Sequence, residues 1–287
     1  MRIRLALAVA LAALPIHLPA APGGFDALPA ALAKLERING GRLGVVVLNS
    51  ATGDHAGYRA DERFPMCSTF KFLLVSAVLQ RVDRQQETLG RTVFVPKQPL
   101  VHNSPLTEEH AGKSMTVGAL CQAALIRSDN TAANLLLASI GGPSGMTGFS
   151  RSIGDQVTRL DRIEPYLNES RPGDPRDTTS PAAMAADLRS VLLSDILTPG
   201  SRAQLTAWME SCVTGLDRVR ATLPTGWRAA DKTGSNGDDT SNDIAVLWPG
   251  GDPAIVVTAY LTQCAGPESK RAAVLAEVGR LVRDSRP

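Results

Sequence analysis

The feature that most constrains this chain is an almost uninterrupted apolar run, residues 72–79 (FLLVSAVL), headed by Ser68-Thr69-Phe70-Lys71. A surface helix shows polar residues every second or third position, so a segment apolar on all sides belongs at the centre of a fold. Its first turn then carries Ser68 and Lys71 into that centre. Residues three apart share a helix face, which brings the Lys71 amine within hydrogen-bond reach of the Ser68 hydroxyl. Serine is a weak nucleophile at neutral pH, and a lysine desolvated among apolar neighbours sheds its proton more readily than one in water. Unpaired N–H groups at such a helix start can also donate to an oxyanion. An isolated SxxK is weak and equally describes a helix-start serine beside a surface lysine. Pro65-Met66-Cys67 before the serine and the apolar run after it favour the buried, reactive pair.

The chain has 287 residues, 44% of them hydrophobic, enough for a full core in one or two domains. Its 30 basic and 28 acidic side chains are mixed along the sequence, so nothing electrostatic argues for a nucleic-acid partner. Residues 1–21 read as an export signal: a basic start (Met1-Arg2-Ile3-Arg4), a run of Leu, Ala and Val over 5–14, then small residues suited to cleavage. The run is too short to span about 30 Å of hydrocarbon, so a periplasmic or secreted protein with no membrane anchor after cleavage is expected. Cys67, Cys121, Cys212 and Cys264 would reach that oxidising compartment; their wide spacing leaves open whether any pair. With no CxxC, no HExxH and scattered histidines (His17, His55, His102, His110), no metal and no cofactor is expected.

Helical spacing over 27–38 stops at Asn39-Gly40-Gly41 and is followed by β-branched 43–49, a turn, and a returning strand at 56–59. Helices are predicted over 72–82, 117–128, 131–140, 145–153, 181–193 and 201–212, with Thr116 and Ser180 as N-caps. Strands follow over 228–234, 244–248 and 254–261, then a helix over 270–283. The predicted fold class is a two-domain α/β (α+β) arrangement: a layer of sheet and flanking helices built from both chain ends, 22–60 and 213–287, with an all-helical domain, 61–212, inserted between them. Insertion of this kind leaves a cleft at the seam, where ligands bind. The stretch 161–179, rich in proline, glycine and charge, is a loop of a length that usually carries function.

Three further short signals fall where loops would meet that cleft: Ser128-Asp129-Asn130, Glu164-Pro165-Tyr166-Leu167-Asn168, and Lys232-Thr233-Gly234. Alone, each reads equally well as an N-cap, a polar loop and an edge strand. Together, in this order and at these intervals, they make the chain resemble the class A serine β-lactamases of the penicillin-recognising acyl-transferases. The likeness covers essentially the whole mature chain, including 64–71, 128–134, 173–179 and 231–235.

The resemblance implies a five-stranded antiparallel sheet, and hydrolysis of the β-lactam amide of penicillins and cephalosporins through a serine acyl-enzyme, with antibiotic resistance as the outcome. It implies Ser68 as nucleophile, with the backbone N–H groups of Ser68 and Ser235 as oxyanion hole. Lys71, or Glu164 through a water, is the acylation base; Glu164 with Asn168 activates the deacylating water. Ser128 relays a proton to the leaving nitrogen beside Lys232, and Asn130 positions Lys71 and the substrate side-chain amide. Lys232, Thr233, Gly234 and Ser235 suit the substrate carboxylate, since a cation and hydroxyl donors match an anion. Thr240-Ser241-Asn242 offers no arginine for that carboxylate, and Arg218 stands where other members place one. Arg162 and Asp177 resemble the pair that staples the two ends of the loop.

The chain also departs from the family pattern. His102-Asn103 replaces a common aromatic at the cleft rim, Asn236 stands where carbapenem-degrading members pair a cysteine with Cys67, and Val75 stands at the usual partner position of Cys121. The expected partner is a small β-lactam and the expected state a monomer. Rival readings are a D-alanyl-D-alanine peptidase, which would lack the Glu164 loop, and a β-lactam sensor, which would need a transmembrane or signalling segment.

Overall fold

The computed structural model describes residues 24–285; the predicted export signal over 1–21 lies outside them. The chain runs from α1 (Leu28–Asn39) into the hairpin β1 (Arg42–Asn49) and β2 (His55–Tyr58). A short strand, β3 (Phe64–Pro65), leads through the turn Cys67–Thr69 into α2 (Phe70–Asp83). Next come β4 (Thr92–Phe94), the single turn α3 (Pro105–Glu108), β5 (Ser114–Thr116), and the helices α4 (Val117–Ile126), α5 (Asn130–Ser139) and α6 (Gly142–Ser152). The long loop ends in β6 (Thr178–Thr179), followed by α7 (Pro181–Leu193) and α8 (Pro199–Glu210). The chain closes with β7 (Arg228–Ser235), β8 (Ser241–Trp248), β9 (Ile255–Thr262) and α9 (Glu268–Asp284).

The predicted five-stranded antiparallel sheet is present, in the order β2-β1-β9-β8-β7, with strands drawn from both chain ends. Its two faces follow from alternation along each strand. Leu43, Val45, Val47, Val257, Ala259 and Leu261 pack with Leu28 and Leu32 of α1 and with Val274, Leu275 and Val278 of α9. Val46, Val246, Val256 and Tyr260 face the opposite way, into the larger core of the helical region. A sheet covered on both faces needs near-continuous apolar strands, as the wholly buried β9 (IVVTAYLT) shows.

Within the helical region α2 is buried on every side from Phe70 to Leu79, as its apolar run predicts. Thr116 and Ser180 accept from the backbone N–H groups of Ala119 and Ala183 as N-caps of α4 and α7. Two expectations shift. Ser68 lies in a 3₁₀ turn just ahead of α2, and the loop 161–179 holds a 3₁₀ turn at Tyr166–Asn168 and the strand β6, which pairs with β3. Neither element has enough residues to show a hydrophobic period.

Candidate active site

Ser68 is presented by a turn fixed from several directions. Cys67 takes a left-handed backbone (φ 44°), the Thr69 hydroxyl donates to the Met66 carbonyl at 2.8 Å, and the Met66 N–H donates to the Asp177 carbonyl at 2.9 Å. The Lys71 ammonium, fully buried in the first turn of α2, reaches Ser68 Oγ at 2.9 Å, the Ser128 carbonyl at 2.8 Å and Asn130 Oδ1 at 2.5 Å. Burial pushes the Lys71 amine down from its ordinary value, and the Glu164 charge pushes it part of the way back. An amine so placed can receive the Ser68 proton.

Glu164 is 1% exposed and its Oε1 stands 3.1 Å from Lys71 Nζ and 3.4 Å from Ser68 Oγ. Asn168 Nδ2 donates to the other oxygen, Oε2, at 2.6 Å. The loop that carries Glu164 is tied at its ends: Arg162 Nε meets Asp177 Oδ2 at 2.5 Å, and the Asp161 and Arg162 N–H groups donate to Asp177 Oδ1 at 2.7 and 2.9 Å. Arg162 also pairs with Glu169 at 2.7 Å.

On the other side of Ser68, β7 runs against the nucleophile turn. A Cβ on Gly234 would stand 2.6 Å from the Met66 carbonyl and 3.2 Å from Ser68 N, so only glycine permits this approach. Ser235 is the next residue along the strand. Lys232 Nζ donates to Ser128 Oγ at 3.1 Å and to the Thr233 carbonyl at 2.7 Å. Burial, reinforced by the positive charges of Lys71 and Arg218, pushes Lys232 down to about 7. Ser128 Oγ is thus bracketed by two lysines, since Lys71 Nζ lies 3.4 Å from it. Thr233 Oγ1 is engaged by Thr214 Oγ1 at 2.5 Å.

Arg218 is buried and its guanidinium is already engaged. Nη1 donates to the Gly234 and Asn242 carbonyls at 3.0 and 2.7 Å, and Nη2 pairs with Glu268 at 2.7 Å. All four cysteines are free and buried. Burial pushes the Cys67 thiol up to about 12, so it stays protonated behind the nucleophile, 3.8 Å from Ser170 Oγ.

Several supporting residues escape sequence reasoning. Asn134 brackets Glu164: its Nδ2 donates to the Glu164 carbonyl at 2.9 Å and its Oδ1 accepts the Glu164 N–H at 3.0 Å. The signal available was its position, four residues after Asn130 on the same face of α5. The buried Asp129 carboxylate accepts from the N–H groups of Leu106, Thr107 and Ala132 at 2.9 Å each, which fixes Ser128 and Asn130 on either side of it. Asn242 Nδ2 ties β8 to the carbonyls of Pro65 and Met66 at 2.9 and 3.1 Å.

Comparisons with known proteins give the family. Residues 27–285 match the model of the beta-lactamase enzyme family. Beta-lactamase L2 of Stenotrophomonas maltophilia is 53% identical over 87% of this chain and 82% of its own length, and beta-lactamase CTX-M-25 of Escherichia coli is 48% identical over 88% and 87%. The solved structure of an ancestral class A beta-lactamase superposes with a TM-score of 0.88 at 59% identity, covering 90% of this chain and 99% of that one. The chain belongs to the beta-lactamase enzyme family, as a class A serine β-lactamase.

Proposed function

We propose that the chain destroys penicillins and cephalosporins in two steps, acylation of Ser68 and hydrolysis of the resulting ester, and so confers antibiotic resistance. In the first step Ser68 Oγ attacks the strained amide carbonyl and its proton passes to Lys71, or to Glu164 through a water; both bases lie within reach of the hydroxyl. The backbone N–H groups of Ser68 and Ser235 would hold the oxyanion, a donor type whose loss typically costs about 10²–10³ in rate. Ser128 would deliver a proton to the departing nitrogen, with Lys232 lowering the cost of that transfer. Thr233, Ser235 and the Lys232 charge suit the substrate carboxylate.

In the second step Glu164 would deprotonate a water held with Asn168. The observation that carries this reading is the Glu164 carboxylate itself: buried, 3.4 Å from Ser68 Oγ, and oriented by Asn168 and Asn134. The sensor and the peptidase gain nothing from a base so placed. We further propose that residues 22–60 with 213–287 and residues 61–212 are its two domains, the first grouping supported by the sheet's use of 42–58 and 228–262. We also propose export to the periplasm or medium on the 1–21 signal, with the mature chain acting as an unanchored monomer; among the described residues no helix is long and apolar enough to cross a membrane.

The test is steady-state hydrolysis of a chromogenic cephalosporin by the mature protein, with a chelator present. Multiple turnovers are expected. A single stoichiometric burst would mean that the protein senses its ligand and does not destroy it.

A further inference from the structure

Glu268, the first residue of α9, places one carboxylate on the donors that surround Ser235. Its Oε2 accepts from Ser235 Oγ at 2.9 Å and from Arg271 Nη2 at 3.2 Å; its Oε1 accepts from Arg218 Nη2 at 2.7 Å and from Ser241 Oγ at 3.2 Å. The helix N-terminus adds a further favourable field for the anion. Burial pushes this carboxyl up, but Arg218, Ser235 and Arg271 together hold it below the usual range, so it is charged at neutral pH.

The two arginines are largely committed within the protein, Arg218 keeping one buried donor, Nε, without a partner. Arg218 Nη1 is committed to the Gly234 and Asn242 carbonyls, and the wholly buried Arg271 donates to the carbonyls of Asp238 and Gly266 at 2.5 Å each. Glu268 therefore stands, within the protein, where an anion bound at Ser235 would draw its hydroxyl and its second cation. Its side chain remains 42% accessible, and its charge lies one hydrogen bond from the Ser235 hydroxyl.

We propose that Glu268 is a specificity-determining residue that competes with the substrate carboxylate for Ser235 Oγ and the Arg218 charge. This rests on the assignment of Lys232, Thr233 and Ser235 to that carboxylate. A substrate anion must draw the Ser235 hydroxyl away from Glu268 and settle beside a like charge, so that its attraction falls mainly to Lys232. Glu268 thus weakens binding of substrates that carry a carboxylate and leaves neutral ones unaffected.

The test compares a penicillin with the methyl ester of the same penicillin, on the wild-type protein and on Glu268→Gln, which keeps an acceptor and removes the charge. For the free acid, kcat/KM is expected to rise about fivefold, through KM rather than kcat, the scale of one unit charge about 4 Å away in water. For the ester it is expected to stay within twofold. Glu268→Ala should shift the free acid in the same direction. A fall in kcat/KM for the acid would make Glu268 a support for the carboxylate site, and an equal rise for acid and ester would locate its effect elsewhere; either overturns the proposal. Failure of the hydrolase reading itself is separate, since it appears as a burst without turnover on wild-type protein and free acid.

Discussion

Lys71 Nζ and Glu164 Oε1 face each other at 3.1 Å with both side chains closed to solvent. Charges removed from water are costly unless paired and hydrogen-bonded, and here Asn130, Ser128 and Asn168 supply the remaining bonds. Both groups lie within reach of Ser68 Oγ, as the proposed two-step acyl transfer with hydrolysis requires. It also makes the pair separable by mutation.

Glu164→Gln should leave acylation measurable and stop the second step. Turnover is expected to fall by about 10³-fold or more, in line with loss of a positioned base, while mass spectrometry shows Ser68 carrying the opened β-lactam. The variant also leaves Lys71 buried without its carboxylate. Burial already lowers the Lys71 pKa and Glu164 opposes that shift, so removing Glu164 lowers it further. A folded-state pKa below the unfolded one means that the unfolded chain binds more protons, so the stability deficit of the variant is full at low pH and shrinks as pH rises above the folded pKa. Melting curves should show a larger deficit at pH 5 than at pH 9. Turnover equal to wild type would remove Glu164 from its role.

The alkaline limb of the activity profile should report Lys232. Its pKa of about 7 in the free protein means that the charge offered to a substrate carboxylate disappears as pH rises through that range. A bound carboxylate favours the ammonium and raises the value. Because kcat/KM reports the free protein and kcat the complex, kcat/KM is expected to decline with an apparent pKa near 7 while kcat holds to higher pH. Parallel decline of both would place the titrating group away from the carboxylate site.

Arg162→Ala should loosen the loop without touching Ser68. Asp177 is 1% exposed and would keep the N–H donors of Asp161 and Arg162 but lose its guanidinium contact with Arg162. A stability loss of about 2–3 kcal/mol is expected for a buried carboxylate deprived of a charged hydrogen-bond partner. The rate of deacylation should fall more than that of acylation, because Glu164 hangs from this loop and Lys71 does not. Stopped-flow separation of the two steps checks this; an unchanged ratio would show that Asn134 and Asn168 position Glu164 without the Arg162 contact.

What the sequence made legible is what local chemistry and periodicity encode. The apolar run placed α2, β-branched residues placed β1, and Thr116 and Ser180 were readable as caps because their partners lie three residues away. Lys71 was readable through Ser68 for the same reason. The supports of the site act over long distances and mostly on backbone groups: Asn134 on Glu164 across 30 residues, Asn242 on the Met66 carbonyl across 176, Glu268 on Ser235 across 33. A carbonyl carries no identity in a sequence, so a side chain that bonds to one leaves no pattern. Arg218 shows the converse: its position suggested an anion ligand, and its Nη1 and Nη2 are engaged by two strand carbonyls and Glu268.

Gly234→Ala tests whether the closeness of β7 to the nucleophile turn matters for chemistry. The added Cβ would meet the Met66 carbonyl at 2.6 Å, with Cys67 Cβ and Ser68 N at 3.2 Å, and backbone atoms do not yield as a flexible side chain would. The strand must move outward, and Lys232 and Ser235 move with it. The Lys232–Ser128 contact of 3.1 Å lengthens, and the N–H of Ser235 leaves the position from which it would meet an oxyanion. The rest of β7 stays paired along its whole length with β8, so the fold should persist. The expected result is near-native circular dichroism with kcat/KM reduced by about 10²-fold, the scale of one misplaced oxyanion donor. Activity within twofold of wild type would show that the strand can recede without cost to the reaction, and the oxyanion assignment of Ser235 would fall with it.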